Sequence, residues 1–140
     1  MNDRLSGRLA KRTAGALAVA TVALGLGACG GSDEDDVRAA VNDFRNAVRE
    51  KDSEAVCQSF TDKALEDAFQ QKGDEARKRC TDFIKQSADQ RAKEAEKDFE
   101  ITEVKVDGES ATVKTKSEGQ ESQAKLEKVE DEWKIADSGG

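Results

Sequence analysis

Apolar residues recur along the chain in two different periods. Val37, Ala40, Val41, Phe44 and Val48 fall at i, i+3, i+4, i+7 and i+11, which lays one apolar face along a helix. Asp35 or Asp36 can cap its N-terminus, where acids also suit the helix dipole. Asp52-Ser53 offers a second cap and opens a short helix with Val56, Cys57 and Phe60 inward. Thr61 starts another short turn carrying Leu65, Ala68 and Phe69, with a stop at Gly73. A longer helix follows from about Asp74 and buries Ala76, Cys80, Phe83 and Ile84. Its continuation, Lys85 to Asp98, holds no large apolar residue, only Ala88, Ala92 and Ala95. It reads as a solvated helical extension or a mobile linker rather than a binding helix, supported by pairs such as Asp89 with Lys93.

After Phe99 the period shortens to two. Val104 and Val106 flank Lys105, and Asp107-Gly108 supplies a two-residue hairpin turn. Ala111, Val113 and Thr115 alternate with Thr112, Lys114 and Lys116. A looser turn at Glu118-Gly119 leads to Ala124 and Leu126, and Glu130-Asp131 turns into a last strand with Trp133 and Ile135 on one face. Helices first and an antiparallel four-stranded meander afterwards predict an α+β domain over residues 37–137, the helices covering the sheet's apolar side, with a short tail at 138–140.

The segment ahead of these elements obeys neither period. Residues 2–12 are basic, and Thr13 to Ala28 carry no charge and are mostly Ala, Val, Leu and Gly. A confident membrane span needs about 20 strongly apolar residues. The layout is instead that of a secretory signal peptide over residues 1–28. Leu26-Gly27-Ala28-Cys29 resembles the lipobox of bacterial lipoproteins, in which an apolar residue and two small ones precede the cysteine that takes lipid. The competing readings are an ordinary secretory signal with a coincidental cysteine, or an uncleaved anchor. Lys11-Arg12 is not a twin-arginine pair, so the general secretion route is expected. Residues 29–36 then form a lipidated acidic tether, and the chain is expected at the outer face of the cell membrane. Two or three acyl chains hold such a protein where one, at about 0.8 kcal/mol per buried methylene, holds it marginally. Asp33-Glu34-Asp35-Asp36 reads as a solvated charge run doubling as a helix start, since calcium needs a fixed cage of oxygens.

Composition narrows the chemistry. Of the 140 residues 38% are charged, and histidine, tyrosine and proline are absent. The commonest general base and metal ligand is therefore missing. The first 28 residues carry four cations against one acid, a net +3, so the remainder has a charge of −10 where the whole chain has −7. Such a domain repels phosphate backbones, and nucleic acid is excluded as a partner. From Cys29 onward only 18 of 112 residues are Leu, Ile, Val or Phe, a composition bordering on disorder. The regular periods argue for a folded domain with a thin core.

Lipidation of Cys29 would leave Cys57 and Cys80, an even pair in an oxidising compartment. Each sits beside an apolar helical stripe, which suits a disulfide between two helices worth about 3 kcal/mol on a loop-entropy model. The alternative is two buried free thiols. No CxxC spacing supports redox work.

The helices, the Lys51-Asp52 step between them and the closing Glu132-Trp133-Lys134-Ile135 resemble the cystatin-like, or nuclear transport factor two-like, α+β superfamily. More narrowly they are similar to its small lipoproteins found in actinobacteria, over roughly Asp35 to Asp137. The resemblance implies a curved sheet wrapping the helices into a cone that holds a small ligand in some members. Members that are isomerases or dehydratases use an Asp–His or Asp–Tyr pair, which this chain cannot assemble. No catalytic, cofactor-binding or metal-binding residue is assigned. The function expected is a non-enzymatic, membrane-tethered binding or accessory domain for a protein or small molecule outside the cytoplasm. One rival is a cone-pocket enzyme with a lone buried carboxylate, drawn from Asp52, Asp62, Asp67 and Asp82, whose plainer roles are caps and lysine partners. The other is a passive envelope component with neither pocket nor apolar patch. Trp133, the single tryptophan, alternates with Ile135 and reads as core before it reads as a ligand anchor.

Overall fold

Ser32 starts the first helix by accepting a hydrogen bond from the backbone N–H of Asp35 on its hydroxyl, at 3.3 Å. The computed structural model describes residues 32–139. Helix α1 spans Asp33–Glu50, so the four acids at 33–36 form its first turn. They are the helix start that the charge run suggests, and they place the helix four residues ahead of the domain boundary expected at Val37. Carboxylates there meet the unpaired N–H groups at the positive end of the dipole, which is why the run is ordered.

Lys51 closes α1 in the left-handed conformation, with φ of 60°, and Asp52 N at once donates back to Ala47 O at 2.9 Å. The Lys51-Asp52 step is thus a helix end joined directly to a cap. Asp52 accepts from Ala55 N at 3.0 Å and opens α2 (Ser53–Gln58), and Thr61 does the same for α3 (Asp62–Phe69). Helix α3 ends at Gln70, also left-handed, before the expected stop at Gly73, which instead begins α4 (Gly73–Ala95). The segment 85–95 is continuous helix, and Asp89 reaches Lys51, the residue that caps α1, at 2.5 Å rather than Lys93.

Strands β1 (Phe99–Asp107), β2 (Ser110–Ser117), β3 (Gln120–Val129) and β4 (Glu132–Asp137) form one antiparallel sheet in the order β1-β2-β3-β4. The first loop is Gly108-Glu109, one residue later than expected, because Asp107 pairs with Ser110 and the positive φ of 61° falls on Gly108. The other loops are Glu118-Gly119 and Glu130-Asp131, as expected. Thr102 is an extra residue in β1 and Ala136 in β4, and such bulges bend a sheet. The free edge of β4 is partly covered. Ile135 N donates to Ser59 O at 2.7 Å and Thr61 N donates to Ile135 O at 2.9 Å.

Two hydrophobic clusters hold these layers together. One lies between α1 and the sheet, around Val37, Val41, Val113, Leu126, Trp133 and Ile135. The other lies among the helices, around Ala47, Val56, Leu65, Ala76 and Ile84, with Cys57 and Cys80 joined as a disulfide at a Cα–Cα distance of 6.0 Å. Both clusters and the disulfide fall within residues 32–139, so this segment carries a core of its own. Phe83 departs from the expected core. It is 49% exposed, edge-on to Phe69 and with Arg91 over its ring, because Cys80 and Ile84 already define the inward face of α4. Among the described residues no helix is long and apolar enough to cross a membrane.

Candidate functional site: an apolar cavity between α4 and the sheet

The inward side chains of the sheet shrink along its length. On β2 the sequence Ala111, Val113, Thr115, Ser117 runs from core to hydroxyl, and on β3 it runs Leu126, Ala124, Ser122. Register sets Val113 opposite Ala124 and Thr115 opposite Ser122. Opposite them stands the second half of α4, whose Ser87 and Ala95 are equally small. Nothing in these rows fills the gap, and a cavity of about 580 Å³ remains. That volume suits a small organic ligand. Its walls are mainly apolar: Val41, Phe44 and Val48 from α1, with Phe60, Phe99 and Ile135. Phe44 and Phe60 meet edge to face at 5.6 Å.

Charge enters at three points. Arg45, on α1, lies over the Phe99 ring at 4.3 Å and donates from its guanidinium to the Lys97 carbonyl. Burial, then the nearby Arg49, pull its pKa below the ordinary arginine value, while Asp98 pulls the other way. An arginine so shifted remains a cation at neutral pH. Arg91, on α4, donates from Nε to Ser87 Oγ at 2.8 Å. Among the described residues Glu94 is the one carboxylate on the cavity wall, and it is held by Lys97 Nζ at 2.9 Å. Lys97 bonds Glu118 at the same distance, and these two acids raise its pKa. Among the described residues neither Arg45 nor Arg91 has a carboxylate within ion-pair distance.

The expected site residues are distributed elsewhere. Cys29 lies outside the described residues, as does the segment 1–28. None of the four candidate carboxylates lines the cavity. Asp52 caps α2, Asp62 receives Arg77, Asp67 pairs with Lys63 at 2.6 Å and Asp82 is exposed on α4. The acids at 33–36 gather no metal cage, and no group of three potential metal ligands occurs among the described residues. Trp133 is buried in the sheet cluster, its Nε1 without a hydrogen-bond partner, and it stands apart from the cavity. It lines a larger but more open and more polar groove of about 740 Å³ with Asp36, Asp43 and Glu132. The smaller cavity is the better candidate site because its walls can remove a ligand from water.

The segment expected to bind nothing is a wall of that cavity. Its lack of large apolar residues is the reason space exists there. Arg45 also went unrecognised as a site residue, although Val41, Arg45 and Val48 stand at i, i+4 and i+7 and thus set a cation inside an apolar stripe.

A protein-family model described as "Putative lumazine-binding" matches residues 32–138. Among solved structures, the chain is similar to a protein from Campylobacter jejuni titled "Putative NTF2-like transpeptidase". The identity is 22%, the match covers 76% of this chain and 98% of that one, and the TM-score is 0.50. It is also similar to an NTF-2 like protein of unknown function from Shewanella oneidensis MR-1. There the identity is 18%, the coverage 73% and 93%, and the TM-score 0.51. At these identities the likeness is one of fold. No curated protein sequence matches the chain.

Proposed function

The chain belongs to the family described as "Putative lumazine-binding", and from that premise we propose that it is a lipid-anchored, extracytoplasmic domain that binds a small molecule without transforming it. The observation that carries this reading is the cavity of about 580 Å³, whose exposed wall is mostly Val and Phe side chains, with polar groups such as Ser87, Gln90 and Gln123 around them. Orientation of a ligand by a few polar groups in an apolar enclosure is what binding requires. A flat heteroaromatic ring such as lumazine matches the family's description and suits walls carrying Phe44, Phe60 and Phe99. A passive envelope component predicts no sizeable pocket, and the cavity counts against it. The lone-carboxylate enzyme would need Glu94 released from Lys97.

The anchor rests on Leu26-Gly27-Ala28-Cys29 after a basic and then apolar leader. With α1 starting at Asp33, only Gly30, Gly31 and Ser32 separate a lipidated Cys29 from the helix, a reach of about 10 Å. The domain then works against the membrane surface.

Titration of the segment 32–140 with lumazine and with aromatic dyes, followed by fluorescence and calorimetry, tests the binding reading. One saturable site per chain, at which the ligands compete, is expected. Absence of binding by every ligand in the set would remove this reading. For the anchor, Cys29→Ser is expected to move the protein out of the membrane fraction, and retention there would sink the proposal.

A further inference from the structure

We infer that the cavity selects an organic anion, a ligand with an apolar or aromatic body and a carboxylate, sulfonate or phosphate group held between Arg45 and Arg91. The inference rests on the binding function proposed above and adds the charge of the ligand to it.

The net charge of the chain from Cys29 onward is −10, so a surface taken at random would favour cations. The cavity reverses that sign. Two guanidinium groups lie on its wall, while the carboxylate of Glu94 is committed to Lys97. Several cations on the outer surface are matched with acids, among them Lys51 with Asp89, Lys63 with Asp67, Arg77 with Asp62, Lys114 with Glu103 and Lys128 with Asp33, and others stand alone in solvent. What sets Arg45 and Arg91 apart is that, among the described residues, they lack an ion-pair partner while lining a mainly apolar cavity.

Both are also pre-oriented. Arg45 is held over Phe99 by its bond to the Lys97 carbonyl, and Arg91 is steered by Ser87 and by the Phe83 ring. A carbonyl and a hydroxyl each engage part of a guanidinium that carries five donors, so donors remain for an incoming anion. The fork geometry favours planar, two-oxygen acceptors such as carboxylates, and charge-assisted bonds are about twice as strong as neutral ones. Arg45 is partly buried, and Asp98 acts on it without pairing with it, so a bound anion would add a direct counter-charge. The apolar walls at Val41, Val48 and Phe60 then take the uncharged body of the ligand.

A purely structural role for the two arginines would leave the ligand's charge irrelevant, and this difference is measurable. The probes are anilinonaphthalene sulfonate, an anion, and phenylnaphthylamine, which has the same rings without the charge. Binding to the segment 32–140 is followed by dye fluorescence, with cooperative unfolding checked in the same samples, because partly unfolded chains also take up such dyes. The anion is expected to bind about tenfold more tightly than the neutral probe, the difference one charge-assisted contact supplies. Arg45→Met together with Arg91→Met is expected to bring the ratio close to one. In the unaltered protein, added salt is expected to lower the ratio, a readout that holds even if the double variant does not fold. Equal affinities for the two probes, or a preference indifferent to salt, would overturn the anion inference and leave the binding function standing. Failure of both probes to bind would remove both.

Discussion

The helical cluster and the sheet cluster are built from similar side chains but finished differently. Around Cys57 and Cys80 the helices pack small residues tightly: Ala76 is 1% exposed and Val56 likewise, and a covalent bond ties α2 to α4. The sheet cluster is equally dry at one end, where Leu126 and Val113 are buried, yet it opens at the other into the cavity beside Thr115 and Ser122. With 18 large aliphatic and phenylalanine residues from Cys29 onward, the chain cannot fill both ends. It closes the helical end and reinforces it with the disulfide. The sheet end, held by the backbone ladder, can tolerate an empty volume that would loosen a helical bundle.

The comparison breaks most visibly at the disulfide. Replacing Cys57 and Cys80 together by Ser is expected to cost about 3 kcal/mol in urea unfolding, since the bond joins residues 23 positions apart. An unchanged midpoint would show that the helical end is complete without its bond. Next in size, enlarging one residue in each cluster should act with opposite sign. Ala76→Leu overpacks the closed end and is expected to destabilise by about 2 kcal/mol. Thr115→Leu fills the open end and is expected to stabilise by about 1 kcal/mol while weakening dye binding. The same sign for both would mean that the two clusters do not differ in packing.

The smallest effect is electrostatic. Hydrogen bonds from Lys51 and Lys114, followed by their charges, hold the carboxyls of Asp89 and Glu103 below the usual range, and the lysines are raised in return. A depressed folded carboxyl contributes stability above its unfolded pKa and loses it as pH falls through the folded value. A raised lysine contributes below its unfolded pKa and loses its share as pH rises through the folded one. These four shifts all move away from neutrality, the lowered Arg45 stays a cation throughout this range, and histidine is absent, so stability is expected to be flat from about pH 5 to 9. These pairs are exposed, and salt should erase most of what they add. A titration of the melting temperature showing a step near pH 7 would contradict this.

Much of the fold was legible because backbone geometry repeats. The stripe from Val37 to Val48, the caps at Asp52 and Thr61, the two cysteines on neighbouring helical faces and the strand pattern from Val104 to Ile135 each follow from a period or a spacing. Phe83 misled because an aromatic beside Ile84 satisfies the same helical period whether it faces in or out. Gly73 misled because a glycine that can end a helix can also begin one. The cavity was not legible, since a sequence names the side chains present and a cavity is made of those that are missing. Its traces were the hydroxyl residues at inward positions of β2 and β3, and Arg45 within an apolar stripe. Both make sense only once α4 is known to stand opposite them.

The descending row of side chains along β2 and β3 also bears on how such a protein changes over generations. The shape of the cavity depends on a few methyl and hydroxyl groups at Thr115, Ser122 and Ala124, on the sheet rather than in the helical cluster with the disulfide. A lineage can exchange these for neighbours in size and retune what the cavity admits, while the parts that fold the chain stay as they are. Selection on ligand and selection on the disulfide-bonded helical cluster then act on different positions, and one can shift without dragging the other.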